Sequence, residues 1–208
     1  NCLLSGRTGN HMGDYMTTGD NFIPRLPYEG DWEIPATVND TWGYNKFDTN
    51  WKNPDDIISR LLKIVSRGGN YLLNVGPTAE GIVPEKCVEV LNKVGKYVTE
   101  NSEAIFGTRP LGVYAYEIPG IELTGREHKL YVHVLSPRTR IELLNIGNEL
   151  KDAYVLSTGE RLEYSTLKCC EGDGMIEVEL PENLRSQKNF CVCLELAEEE
   201  PIFESIKG

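Results

Sequence analysis

The sequence predicts an α/β segment followed by an all-β segment, and three observations carry that prediction. An amphipathic helix with capping signals at both ends spans residues 53–69. A nearly continuous apolar run follows at residues 70–75 and stops at Gly76-Pro77. Beyond Thr108-Arg109-Pro110 the helical periodicity disappears, leaving short alternating stretches divided by turn residues.

In the first helix Asn53 is the N-cap and Pro54 takes the first helical position, where a missing N–H costs nothing. Asp55 and Asp56 favour the positive end of the helix dipole, and Gly68 is the stop. Ile57, Ile58, Leu61, Leu62, Ile64 and Val65 make its apolar stripe. The run 70–75 reads as a strand covered on both faces, as parallel strands are. A second helix is expected over 84–100, with Val88, Leu91, Val94 and Val98 buried. Helix, buried strand, helix is the end of an α/β unit. Further strands are expected at 113–118, 129–135, 140–145, 153–156, 175–180 and 189–196. Ile176, Val178 and Leu180 alternate with Glu177 and Glu179, so one face is wet and one dry, the pattern of an antiparallel sandwich. Glu198 to Glu200 read as a solvated acidic end.

The chain has 208 residues, room for one large or two small domains. A net charge of −11 repels phosphate backbones and anionic lipid, and no basic patch offsets it, so nucleic acid is not an expected partner. Apolar stretches such as 71–75 fall far short of the roughly 20 residues of a membrane span. The six cysteines are Cys2, Cys87, Cys169, Cys170, Cys191 and Cys193. They form no CxxC pair. Cys191 and Cys193 in a strand stand roughly 6 to 7 Å apart on one face, and free buried thiols are the expectation. His11, His128 and His133 are too dispersed for a metal site, and residues 76–81 lack the lysine of a phosphate-binding loop. The chain opens at Asn1 without an initiator methionine, as a segment of a longer protein does.

Chemistry concentrates before residue 80. Asp14, Asp20, Glu29, Asp31 and Glu33 lie in a region that reads as loop, with Gly6, Gly9, Gly13, Gly19 and Gly30. Arg7, His11, Tyr15 and all three tryptophans, Trp32, Trp42 and Trp51, accompany them. Carboxylates among aromatic rings suit a neutral sugar: rings cover C–H faces, and carboxylates perform acid/base work.

Residues 13–21 (GDYMTTGDN), 31–44 (DWEIPATVNDTWGY), 68–81 (GGNYLLNVGPTAEG) and 101–108 (NSEAIFGT) resemble, in this order, motifs of the α-L-fucosidases of glycoside hydrolase family 29. The resemblance implies that residues 1–108 are the C-terminal part of a (β/α)8-like catalytic barrel and residues 109–208 a C-terminal β-sandwich. It implies a retaining exo-glycosidase that removes terminal α-L-fucose from oligosaccharides or glycoconjugates without a cofactor. In that family the nucleophile is an Asp in a Trp-rich strand motif, which does not occur here, so the chain alone is expected to be inactive. A partial barrel exposes strand edges, and a homo-oligomer is a further expectation. By the same resemblance Glu33 is the first candidate for the acid/base and Asp20, beside Gly19, the second. Arg7 falls where the family binds fucose with an arginine, and Trp42 where an aromatic ring meets the C6 methyl group. His11 receives no role, and Asn70 and Asn74 are read as satisfying backbone groups. An extracellular, periplasmic or lysosomal-type compartment is expected. The alternative reading is a non-catalytic carbohydrate-binding or structural module.

Overall fold

The computed structural model describes residues 2–9, 12–26, 28–111, 118–168 and 174–201. They divide into two compact units, Asn1–Thr99 and Glu100–Gly208.

In the first unit, β1 (Met16–Thr17), β2 (Trp32–Thr37) and β3 (Asn70–Asn74) form a parallel sheet in that order. An isolated parallel bridge, Ser5 to Tyr15, extends it on the β1 side. Helix α1 (Pro54–Val65) joins β2 to β3, and α2 (Glu85–Glu100) follows β3. The capping signals act as expected: the Asn53 side chain accepts from Asp55 N, and Gly68 closes the helix at φ +76°. Gly69 N then reaches back to Ile64 O at 3.0 Å. Trp32, Ile34 and Ile64 pack together, with Ile23 and Tyr71 against them. A side chain at Gly69 would run into the Trp32 indole, 2.5 Å from where its Cβ would lie. That contact explains the glycine.

Three expectations for this unit are corrected. The region before residue 40 is not all loop, since Trp32 and Glu33 belong to β2, whose residues from Ile34 onward are buried. Trp32, Ile34 and Ala36 do alternate with Glu33, Pro35 and Thr37, but the internal proline and the glycines and carboxylates before it read against a strand. Strand β3 is parallel but not covered on both faces. It stands at the end of the sheet, and Leu72 is 51% exposed. In α2 the buried positions are Cys87, Val90, Val94 and Tyr97, while Val88 is exposed. Tyr97 and Cys87, left out of the aliphatic stripe, carry part of the buried face and rotate it.

The second unit is antiparallel throughout its described strands. One sheet has the order β4 (Arg109–Pro110), β5 (Ile121–Arg126), β6 (Lys129–Val134), β11 (Phe190–Leu196), β8 (Leu150–Val155). The other has the order β7 (Arg140–Leu144), β10 (Gly174–Glu179), β9 (Tyr164–Lys168). Val132, Val192 and Leu194 from the first share one apolar cluster with Ile141, Leu143, Ile176 and Val178 from the second. The short helix α3 (Glu182–Arg185) precedes β11. Strands β5 and β9 escape the pattern because Thr124 and Gly125, or Tyr164, Ser165 and Thr166, interrupt apolar alternation. The expected strand at 113–118 lies, except for Ile118, outside the described residues.

In the acidic stretch Glu199 and Glu200 are exposed, yet Glu198 accepts from Asn148 Nδ2 at 2.9 Å and Glu200 pairs with Arg109. These contacts hold the chain just past β11 against its own unit. Cys87, Cys191 and Cys193 are free and buried, but Cys2 is exposed, because the chain before β1 packs little apolar surface. Cys169 and Cys170 lie outside the described residues. No helix among the described residues is long and apolar enough to cross a membrane.

Candidate active site

Ser5, β1, β2 and β3 run in one direction, so the turns that follow each leave from one edge of the sheet. In open parallel sheets and in barrels that carboxyl edge is where ligands bind, since loops can vary there without disturbing the core. Arg7 sits in the 3-10 turn Gly6–Thr8 after the Ser5 bridge, Asp20 in the turn after β1, and Trp42 in the loop after β2. These three share the edge.

The turn carrying Asp20 is fixed by backbone bonds from Thr18 N to Glu33 O, at 3.0 Å, and from Asn21 N to Pro35 O, at 2.9 Å. Arg60 of α1 adds a bond to Asn21 O at 2.6 Å. Asn21 takes φ +59°, which asparagine tolerates well. Arg7 and Asp20 form an ion pair, so the guanidinium and the second-choice carboxylate are already engaged with each other. Asp20 is therefore an ionic partner of Arg7.

Glu33 is the second residue of β2, toward the amino end of that strand. Parallel register places it opposite Thr17, the last residue of β1, and so near the exit of the neighbouring strand. The Thr17 hydroxyl donates to Glu33 Oε1 at 3.2 Å, and Ser5 Oγ lies 2.9 Å from Thr17 Oγ1. A hydroxyl pair thus holds a half-buried carboxyl.

Trp42 is 42% exposed, and Asn74 donates to its carbonyl at 2.7 Å. The loop behind it is braced by the Asp48 carboxylate, which accepts from Asp40 N, Thr41 N and Thr41 Oγ1 at 2.9 to 3.1 Å. Desolvation works to raise the Asp48 carboxyl, but the donors of Thr41, Asn50 and Asp40 outweigh it and leave it below the usual carboxylate range. Lys52 bonds Thr37 Oγ1 at 2.9 Å at the exit of β2. Burial, then the nearby Arg60, lowers the Lys52 ammonium, with Asp40 and Asp48 opposing. Asn70 donates to Trp32 O at 3.2 Å, so both strand-flanking asparagines satisfy backbone carbonyls.

A cavity of about 480 Å³ opens beside β1, walled by Gly6, Gly9, Gly13, Asp14, Tyr15, Met16, Thr17, Glu29, Gly30 and Asp31. Of the hydroxyl and carboxyl chain just described only Thr17 lines it; Glu33, Asp20, Arg7 and Trp42 do not. Gly13 is required here, because a Cβ would meet the Gly6 backbone at 2.4 Å. No group of histidine, cysteine and carboxylate side chains with metal-binding arrangement occurs among the described residues. His11 lies outside them.

Thr17, Ser5 and the contact of Asn74 with Trp42 escaped the sequence reading. They depend on strand register between segments 12 to 32 residues apart. Asp48 had a local signal, since Asn45 and Asp48 each accept from the backbone N–H two residues on, a short side-chain-to-backbone turn.

A family model described as alpha-L-fucosidase matches residues 1–103. The tissue alpha-L-fucosidase of Bos taurus is 39% identical over 159 residues, covering 68% of this chain and 34% of that protein. The crystal structure of an alpha-L-fucosidase from Vibrio sp. strain EJY3 superposes at TM-score 0.86 with 28% identity, covering 96% of this chain and 36% of that one. Alpha-L-fucosidase isoenzyme 1 from Paenibacillus thiaminolyticus gives TM-score 0.78 at 26% identity, over 90% of this chain and 46% of that one. The chain spans 34% of the bovine relative and 39% of an alpha-L-fucosidase from Branchiostoma floridae, well under half of each. Sequence kinship and strand order agree over the stretch that carries the carboxyl-edge cluster, and through residues 1–103 the chain belongs to the alpha-L-fucosidase family.

Proposed function

We propose that this chain supplies the proton-donating half of a retaining α-L-fucosidase site, acting on terminal α-L-fucose of oligosaccharides or glycoconjugates. Residues 1–108 are then the C-terminal part of a (β/α)8-like catalytic barrel, and residues 109–208 its C-terminal β-sandwich. The parallel sheet with its helices and the two antiparallel sheets on one core support this division.

Glu33 is the general acid. The observation that carries the choice over Asp20 is the ion pair of Asp20 with Arg7, which occupies the alternative carboxylate. Glu33 instead keeps one oxygen on Thr17 Oγ1 and has its other for a substrate oxygen. In the first step its carboxyl proton passes to the departing glycosidic oxygen as a carboxylate from outside these 208 residues attacks the anomeric carbon. In the second, the Glu33 carboxylate takes a proton from the water that releases fucose. The two carboxyl groups of such a pair stand about 5 to 5.5 Å apart. Arg7, oriented by Asp20, donates to sugar hydroxyls, and Trp42 provides an apolar wall for the C6 methyl group. The reaction calls for no cofactor. A degradative or extracellular compartment fits such a substrate.

The test uses the enzyme that contains this chain together with its nucleophile. Glu33→Gln lowers turnover of a glycan fucoside by about 10² to 10⁴-fold. It spares the first step with a dinitrophenyl fucoside, whose leaving group needs no proton, so dinitrophenol appears as a burst, and azide restores turnover with α-L-fucosyl azide as product. If Asp20→Asn shows that pattern and Glu33→Gln does not, the assignment of the acid is wrong.

A further inference from the structure

Asn74 is the last residue of β3, and it reaches the exit of β2 twice. Its backbone carbonyl accepts from Val38 N at 3.4 Å, and its side-chain amide donates to the Trp42 carbonyl at 2.7 Å. Two residues further on, Gly76 lies against the same loop so closely that a Cβ would meet Gly43 C and Tyr44 N at 2.8 Å. From the other side, Lys52 N bonds Val38 O at 3.0 Å, and the Asp48 carboxylate gathers Asp40 and Thr41. A loop indole with nearly half its surface in solvent thus has its backbone gripped from both flanks. Such immobilisation matters only if the ring must be in one place.

We propose that Asn74 is a positioning residue for Trp42, its carboxamide fixing the loop so that the indole discriminates a methyl from a hydroxymethyl group at C6 of the sugar. This rests on the reading of Trp42 as the wall for that methyl group. A hydroxyl added to a ligand in an apolar pocket is rejected only weakly, by about 10²-fold at best, and only where the wall cannot yield. A loop released from Asn74 moves aside and accepts L-galactose, which is L-fucose with a hydroxyl at C6.

The three tryptophans of the chain give three indole N–H signals, which makes the test direct. Asn74→Asp keeps the side-chain size and removes the N–H donor. In the native 208-residue chain the Trp42 indole is as ordered by ¹⁵N relaxation as the buried Trp32 indole, and its signal responds to L-fucose with a preference of about tenfold over L-galactose. In Asn74→Asp the Trp42 indole loses order, that of Trp32 does not, and the preference falls to near unity. Equal Trp42 order in the native chain and Asn74→Asp overturns the positioning role whatever the sugar does. An ordered Trp42 with no native preference for L-fucose overturns the selectivity role by removing the reading of Trp42 beneath it. If Asn74→Asp unfolds the unit, seen as collapse of the Trp32 signal, Gly76→Ala presses on the loop from the same side without touching the amide. Native-like Trp42 order and preference in that variant overturn the proposal.

Discussion

The Thr17 hydroxyl donates to Glu33 Oε1 at 3.2 Å between residues that are register partners in the β1–β2 pair. With its one proton committed there, Thr17 accepts from Ser5 Oγ at 2.9 Å. Three strands of sequence that share no local pattern thereby converge on one carboxyl group.

Removing that donor has a modest structural cost. Thr17→Val keeps the β-branched shape that suits β1 and deprives Glu33 and Ser5 of a partner each. Urea unfolding of the chain shows a loss of about 1 kcal/mol, the net worth of a typical part-buried hydrogen bond. No change, within error, places Glu33 elsewhere.

The Arg7–Asp20 pair behaves differently. Its side chains are 52% and 44% exposed, so solvent and salt screen it. Asp20→Asn shifts unfolding by less than about 0.5 kcal/mol, and 1 M salt removes what difference there is. A loss several times larger means the pair is part of the folded core rather than of a ligand-facing edge.

His133 sets an acid limit on the second unit. It is fully buried, and burial pushes its imidazole down to about 4, opposed by the Ala104 carbonyl. Thr124 Oγ1 donates to Ala104 O at 2.9 Å, so it accepts from His133 Nε2 at 3.0 Å, leaving buried Nδ1 without a partner. The folded state stays neutral where an unfolded imidazole takes a proton, near 6.5, so stability is complete above that and declines as pH falls toward 4. The loss across this window approaches about 3 kcal/mol. Glu103 shares the sheet face. Hydrogen bonds from Lys129 and then Tyr131 hold it below the usual carboxylate range, so its contribution disappears only at lower pH. Urea unfolding between pH 7 and 4.5 is steeper in pH for the native chain than for His133→Phe. Parallel curves contradict a neutral buried His133.

Gly69→Ala tests the junction of α1 and β3. Its Cβ meets three indole carbons of Trp32 at 2.5 to 2.7 Å. Trp32 is fully buried between sheet and helix and has nowhere to go, so the variant loses about 1 to 3 kcal/mol in thermal or urea unfolding. A neutral variant shows that the indole can turn aside.

The helix α1 was legible because its cap, proline, first-turn acids and stripe all state the same thing within 16 residues. Strand β3 was legible as a strand but not in its exposure, since Leu72 is as apolar as a buried residue and only the sheet order leaves it bare. Strand β2 was hidden although Trp32, Ile34 and Ala36 alternate with Glu33, Pro35 and Thr37, because a proline in the run reads against a strand and the flanking glycines and carboxylates read as loop, while in the fold Pro35 and Thr37 are buried as well. The site followed the same rule. Residue types in motifs drew attention to Arg7, Asp20, Glu33 and Trp42, whereas the residues that hold them, Thr17, Ser5 and Asn74, become visible only through register.

Under the proposed function these 208 residues supply the proton donor of a fucosidase site and not its nucleophile. Incubating the purified chain with 4-nitrophenyl α-L-fucoside reads this most directly: no 4-nitrophenol appears beyond the buffer rate, in the native chain or in Glu33→Gln. Turnover by the native chain that Glu33→Gln abolishes would place a complete catalytic pair within these residues and contradict the proposed division of the site.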